Sequence, residues 1–181
     1  MHDTLLLIID MQNAYLPKQP WQCANILDII PKIQTLCENF NRNYDIVFTR
    51  FIASKNPVGT WLNYNIKYDD INQSTFLNEI ISNFKPYLEE YPVVDKSTYS
   101  CYKNDILKEL IDSHKKVAIC GVVADCCILS TALDIIDVGK PLIYLQDAIG
   151  EYKQNSGKAV LDIMDNMKLH VNTIHVEDFL H

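Results

Sequence analysis

Short, continuous apolar runs alternate along this chain with longer amphipathic stretches, and that alternation limits the fold more than any other feature. The runs are Leu5–Ile9, Ile46–Thr49, Val93–Val94, Val117–Cys120, Leu142–Leu145 and Val171–His175. They are apolar at successive positions, as strands covered on both faces must be. Amphipathic segments lie between them at Ala24–Phe40, Thr75–Phe84, Asn104–Ser113, Cys127–Val138 and Ser156–Met167, and Lys140-Pro141 closes one helix and opens a strand. The pattern predicts an α/β chain, a Rossmann-like three-layer fold whose mainly parallel six-stranded sheet runs 3-2-1-4-5-6 with helices on both faces.

The 181 residues show no internal repeat or low-complexity linker, so residues 1–181 are expected to form a single domain. One connection is long: Phe51 to Ser74, carrying Trp61, Tyr64 and Tyr68. A stretch of this length reads as a lid, a binding loop or an assembly arm, or as a surface loop whose rings pack on the domain. The formal net charge of -7, with no basic run, argues against nucleic-acid binding. Met-His-Asp-Thr lacks the cationic start of a signal peptide, and no apolar stretch is long enough to cross a bilayer. A cytoplasmic protein that does not engage membranes is expected. The six cysteines (Cys23, Cys37, Cys101, Cys120, Cys126, Cys127) then read mostly as small buried apolar residues. They lack the paired Cys-x-x-Cys spacing of a structural zinc site.

In an open parallel sheet, ligands bind beyond the carboxyl ends of the strands, where the strand order reverses. For the order above, that place lies between strands one and four. Asp10 ends strand one, and Cys127 follows strand four by one short turn. Cys127 also opens a predicted helix, whose dipole and free amides would lower the thiol pKa towards neutrality. The alternative is that Cys126 and Cys127 are both buried thiols in a tight turn. Asp10 is equally open to a turn-stabilising role, and Lys96, just after strand three, to that of a solvated loop residue.

Three motifs at these places give the chain a family resemblance. They are Leu6-Leu7-Ile8-Ile9-Asp10-Met11-Gln12-Asn13, Val94-Asp95-Lys96-Ser97-Thr98-Tyr99-Ser100, and Gly121-Val122-Val123-Ala124-Asp125-Cys126-Cys127-Ile128 followed by Thr131-Ala132-Leu133-Asp134. In order and spacing they resemble the isochorismatase-like cysteine hydrolases, which include nicotinamidase and N-carbamoylsarcosine amidase; Gln146-Asp147-Ala148 after strand five fits as well. Ala124 replaces a usual threonine. The resemblance implies a triad of Cys127 as nucleophile, Asp10 as base and Lys96 holding Asp10. It implies an oxyanion hole from the backbone amides of Val123 and Cys127, aligned by a cis peptide between Val122 and Val123. A thioester hydrolysed by water would follow.

Nicotinamidases carry a metal-binding D-x-H and further histidines after strand two. Here that stretch is Thr49-Arg50-Phe51-Ile52-Ala53-Ser54, and no histidine occurs between His2 and His114. His170 and His175 flank the last strand and suggest no other cluster. No metal or other cofactor is expected, and nicotinamide is a poor guess. The nucleophilic thiol favours cleavage of a C–N bond in a small amide, ureido or carbamoyl compound. Gln12, Arg50, Trp61, Tyr64 and Tyr99 are candidate substrate-binding residues, with Arg50 equally readable as a surface salt-bridge partner. Three other readings stay open: an isochorismatase-type vinyl-ether hydrolase, a non-catalytic protein-binding member of the fold, and a Cys126–Cys127 redox pair, which a strained adjacent disulfide disfavours. The resemblance also suggests a homo-oligomer, a dimer or tetramer. The Asn72-Gln73-Ser74 sequon would be idle without secretion.

Overall fold

The structure, a computed structural model, describes residues 2–39, 42–153 and 155–181. Six parallel strands form one sheet in the order 3-2-1-4-5-6: β1 (Thr4–Ile9), β2 (Tyr44–Phe51), β3 (Val93–Lys96), β4 (Lys116–Gly121), β5 (Leu142–Ile149) and β6 (Val171–Ile174). The predicted class and strand order are both observed. β1 lies between β2 and β4 and is buried at all of its positions. Its side chains divide by the strand period of two: Leu6 and Ile8 join one core, Leu5, Leu7 and Ile9 the other.

On the first face lie α1 (Ile26–Glu38), a 3-10 stretch at Ser82–Tyr87 and the short α8 (Val176–Leu180). Ile26, Ile29, Ile30, Ile33, Leu36 and Cys37, spaced three and four apart, form the buried stripe of α1. The other face holds α5 (Asp105–Ser113), α6 (Leu129–Asp137) and α7 (Ser156–Asp165). Asn104 caps α5 by accepting a bond from the Leu107 amide at 3.1 Å. Among the described residues no helix is long and apolar enough to cross a membrane. Phe40, the predicted end of the first helix, lies outside the described residues.

Several local expectations need correction. The long connection is not a loop throughout, because it forms α2 (Trp61–Lys67) and α3 (Asp69–Asn72). The helix expected over Thr75–Phe84 breaks after α4 (Thr75–Asn78), capped by the Ser74 hydroxyl. The chain beyond it extends instead and pairs with the end of β1. Gln12 and Ile80 form an antiparallel bridge, Asn13 takes the Glu79 carbonyl at 2.9 Å, and the Ile81 amide reaches Met11 O at 2.9 Å. Gln146, Asp147 and Ala148 lie inside β5, which runs on to Ile149, and not after it. Asp147 is occupied by Lys32, His175 and the Val176 amide, which hold it below the usual carboxylate pKa against the opposing effect of burial.

Candidate active site

Asp10 follows β1 with a positive φ of 51°, which turns its carboxylate beneath the sheet's carboxyl edge. Thr49 of β2 fixes it with three hydrogen bonds: its carbonyl and hydroxyl each accept from the Asp10 amide at 3.2 Å, and the hydroxyl donates to Asp10 Oδ1 at 2.7 Å. Lys96, the last residue of β3 and not a loop residue, donates to Asp10 Oδ2 at 2.7 Å and to Thr98 O at 3.1 Å. Its third direction is Cys127 Sγ, at 3.5 Å. Three residues from three strand ends therefore converge, and both side chains of the ion pair are fully buried.

Gly121 permits the approach of β4 to this centre. A Cβ there would stand 2.2 Å from Ile9 O, and its φ of +107° suits glycine alone. The Val122–Val123 peptide that follows is cis. The chain then enters a π-helical turn, Ala124–Ile128, before α6. Cys127 thus sits within this turn, at the N-terminal end of the α6 run. The amides of Val122, Ala124, Cys126 and Ile128 are committed to the carbonyls of Ile9, Gly150 and Val123.

Electrostatics corrects one expectation about Cys127. Burial pushes its thiol well above the usual cysteine range; Lys96 pulls it down, and the Asp10 carboxylate pushes it up again. The helix end does not deliver a resting thiolate, because desolvation penalises the anion more than the dipole favours it. Burial also works against the Lys96 ammonium, but the charge and hydrogen bond of Asp10 overcome it and raise the lysine above its ordinary value. The Cys127 thiol thus stands beside the buried Asp10–Lys96 ion pair.

Cys127 forms part of the floor of a cavity of about 280 Å3, small for a ligand site. Rings make up most of its wall: Tyr15 and Trp21 after β1, Phe51 at the end of β2, Tyr64 and Tyr68 from the long connection, Tyr99 after β3 and Tyr152 after β5. Val123, Asp125 and Cys126 complete the side facing α6. The rings brace one another, Trp61 standing 5.0 Å from Tyr99 and 5.2 Å from Tyr64, and Tyr64 4.7 Å from Tyr68. Two larger open clefts, about 550 and 790 Å3, hold none of Asp10, Lys96 and Cys127.

The substrate-binding candidates separate in space. Tyr64 and Tyr99 line the cavity, and Trp61 packs behind them. Gln12 does not face it. Fully buried, it accepts from the Phe51 amide at 2.8 Å and donates to the carbonyls of Phe51 and Asn78, each at 3.0 Å, pinning the two ends of the long connection. Arg50 is likewise elsewhere: it lies opposite Asp95 in the β2–β3 register and grips that carboxylate at 2.7 and 2.8 Å beside the open 550 Å3 cleft. Its charge is satisfied within the sheet edge. Thr49, Tyr15 and Trp21 escaped sequence reading, and Asp125 was read only as part of the third motif. Tyr15 and Trp21 follow a strand end, so the same rule that singled out Asp10 pointed to their loop.

The parallel sheet ordered 3-2-1-4-5-6 with helices on both faces defines the fold class, and sequence comparison gives the family. The isochorismatase domain profile matches residues 4–176, so the chain belongs to the isochorismatase domain family, whose members include hydrolases. It is similar to nicotinamidase 3 of Arabidopsis thaliana, 26% identical over 163 residues that cover 86% of this chain and 77% of the relative. Its fold matches a cysteine hydrolase from Pseudomonas syringae pv. phaseolicola with a TM-score of 0.82 at 18% identity, covering 98% of this chain and 91% of the other. A pyrazinamidase of Pyrococcus horikoshii in complex with zinc matches with a TM-score of 0.77 at 22% identity, covering 96% and 99%. Among the described residues of this chain, no three His, Cys, Asp or Glu side chains cluster closely enough to hold a metal. At the end of β2, Phe51 lines the pocket, and its ring lies 5.6 Å from Lys96 Nζ.

Proposed function

We propose that the protein is a cysteine hydrolase that cleaves the C–N bond of a small amide, ureido or carbamoyl compound through a thioester on Cys127. The observation that carries this reading is a buried Asp10–Lys96 pair whose ammonium stands 3.5 Å from a thiol that is itself part of a cavity floor. Attack of Sγ on the carbonyl carbon passes the thiol proton to Asp10. The oxyanion then meets the amides of Val123 and Cys127, whose neighbours in the turn are already bonded elsewhere. Asp10 returns the proton to the departing nitrogen, leaving ammonia or an amine and a thioester. A water molecule, deprotonated by Asp10, releases the acid and restores the thiol. Lys96 keeps Asp10 oriented and its charge balanced throughout.

The test is ammonia release from a panel of small amides, with acid quenching of the reaction and mass spectrometry of the protein. An acyl mass on the peptide containing Cys127, and loss of turnover in Cys127→Ala, is the expected result. Ammonia release that survives Cys127→Ala would refute the covalent route, and no ammonia release from any amide by the unsubstituted protein would shift the reading to the vinyl-ether reaction.

A further inference from the structure

The cavity wall has an unusual charge pattern. Its lining rings belong to five tyrosines, one tryptophan and one phenylalanine, and none of its lining residues is lysine, arginine or histidine. Burial pushes the phenols of Tyr15, Tyr64 and Tyr99 upwards, so these rings stay uncharged at working pH. The one ionisable acid in the wall is Asp125, exposed at the rim two residues before the nucleophile. Among the described residues its carboxylate makes no hydrogen bond or ion pair.

Electron-rich ring faces around an unpartnered carboxylate attract a cation and repel an anion. The lysine that does enter the site, Lys96, is committed to Asp10 at the floor and offers no compensation at the rim. One ring already accepts a cation from the chain itself, since Lys67 Nζ lies 5.2 Å from the centroid of Tyr68. Resting on the amide-hydrolase reading above, we infer that the substrate is a small amide with a cationic end, an ammonium or quaternary ammonium group. Its carbonyl lies at Cys127 and its cation lies among Tyr64, Tyr68, Tyr99 and Asp125. Carboxylate-bearing amides are selected against by the same wall.

A matched pair of probes isolates the charge: 4-trimethylammoniobutanamide and its uncharged isostere 5,5-dimethylhexanamide. Calorimetric binding to Cys127→Ala should favour the cation by about five- to thirty-fold, the range of a desolvated cation–π contact. Raised salt should reduce that preference. In Asp125→Asn the ratio between the two probes should fall several-fold. Because the ratio is taken within one variant, a general loss of affinity cancels from it. Equal or weaker binding of the cation, or no binding of either probe at millimolar concentration, would overturn the inference. Preferential binding without turnover by the unsubstituted protein would uphold it and remove the hydrolase reading instead.

Discussion

At the scale of single residues, the site depends on a buried ion pair that neither partner can leave without cost. Lys96→Met strands the Asp10 carboxylate among Thr49, Phe51 and the sheet end, and should destabilise the fold by about 3–5 kcal/mol. The double variant Lys96→Met, Asp10→Asn should recover part of that loss, because no unpaired charge then remains; urea unfolding of the three proteins checks it. Cys127 should react slowly with iodoacetamide at neutral pH, and faster only as pH climbs beyond the ordinary cysteine range, since burial raises its thiol. A fast, pH-independent reaction from pH 6 upward would contradict this. That Asp10, Lys96 and Cys127 would meet at one edge of the sheet was legible in the sequence because each follows or ends a strand, where a topological rule and three motifs coincide. The thiol's protonation was not legible, since it depends on desolvation by side chains far apart in the chain. Nor was the fate of Arg50 and Gln12: a charged or amide side chain near a site is indistinguishable in sequence from one aimed into it until its partner, Asp95 or Phe51, is placed.

At the scale of elements, the β1–β4 contact decides whether the turn carrying Cys127 reaches Asp10 at all. Gly121→Ala drives a Cβ into Ile9 O and forces a non-glycine residue to φ +107°. It should cost about 3 kcal/mol or more and abolish turnover together with stability, read by thermal melting and ammonia release on the same sample. The strands themselves were readable from continuous apolar runs, which a central parallel strand requires. The segment after β2 was not. Its aromatic residues gave no period to read, and the outcome further on was set by tertiary partners: Met11, Gln12 and Asn13 hold residues 79–81 in an extended path where a helix over Thr75–Phe84 was expected.

At the scale of the whole molecule, the thiols couple folding to alkalinity. Cys23 and Cys37 are pushed by burial to about 12, and Cys101 to about 11. Unfolding restores each to its ordinary value, so between roughly pH 9 and 11 the folded chain holds protons that the unfolded chain has released. Stability should therefore be unaffected by these groups below that window. It should fall by about 1.4 kcal/mol per pH unit per thiol within the window. Urea midpoints at pH 7, 9 and 10.5 measure it, and an unchanged midpoint at 10.5 would show that these thiols are solvated.

The ring wall has one more consequence. The chain contains two tryptophans, and both belong to it: Trp21 lines the cavity and Trp61 packs against Tyr99, Tyr64 and Phe51. Light emitted by the indoles of this protein therefore originates at a single place, so the molecule carries its own optical gauge of whether that place is empty or filled.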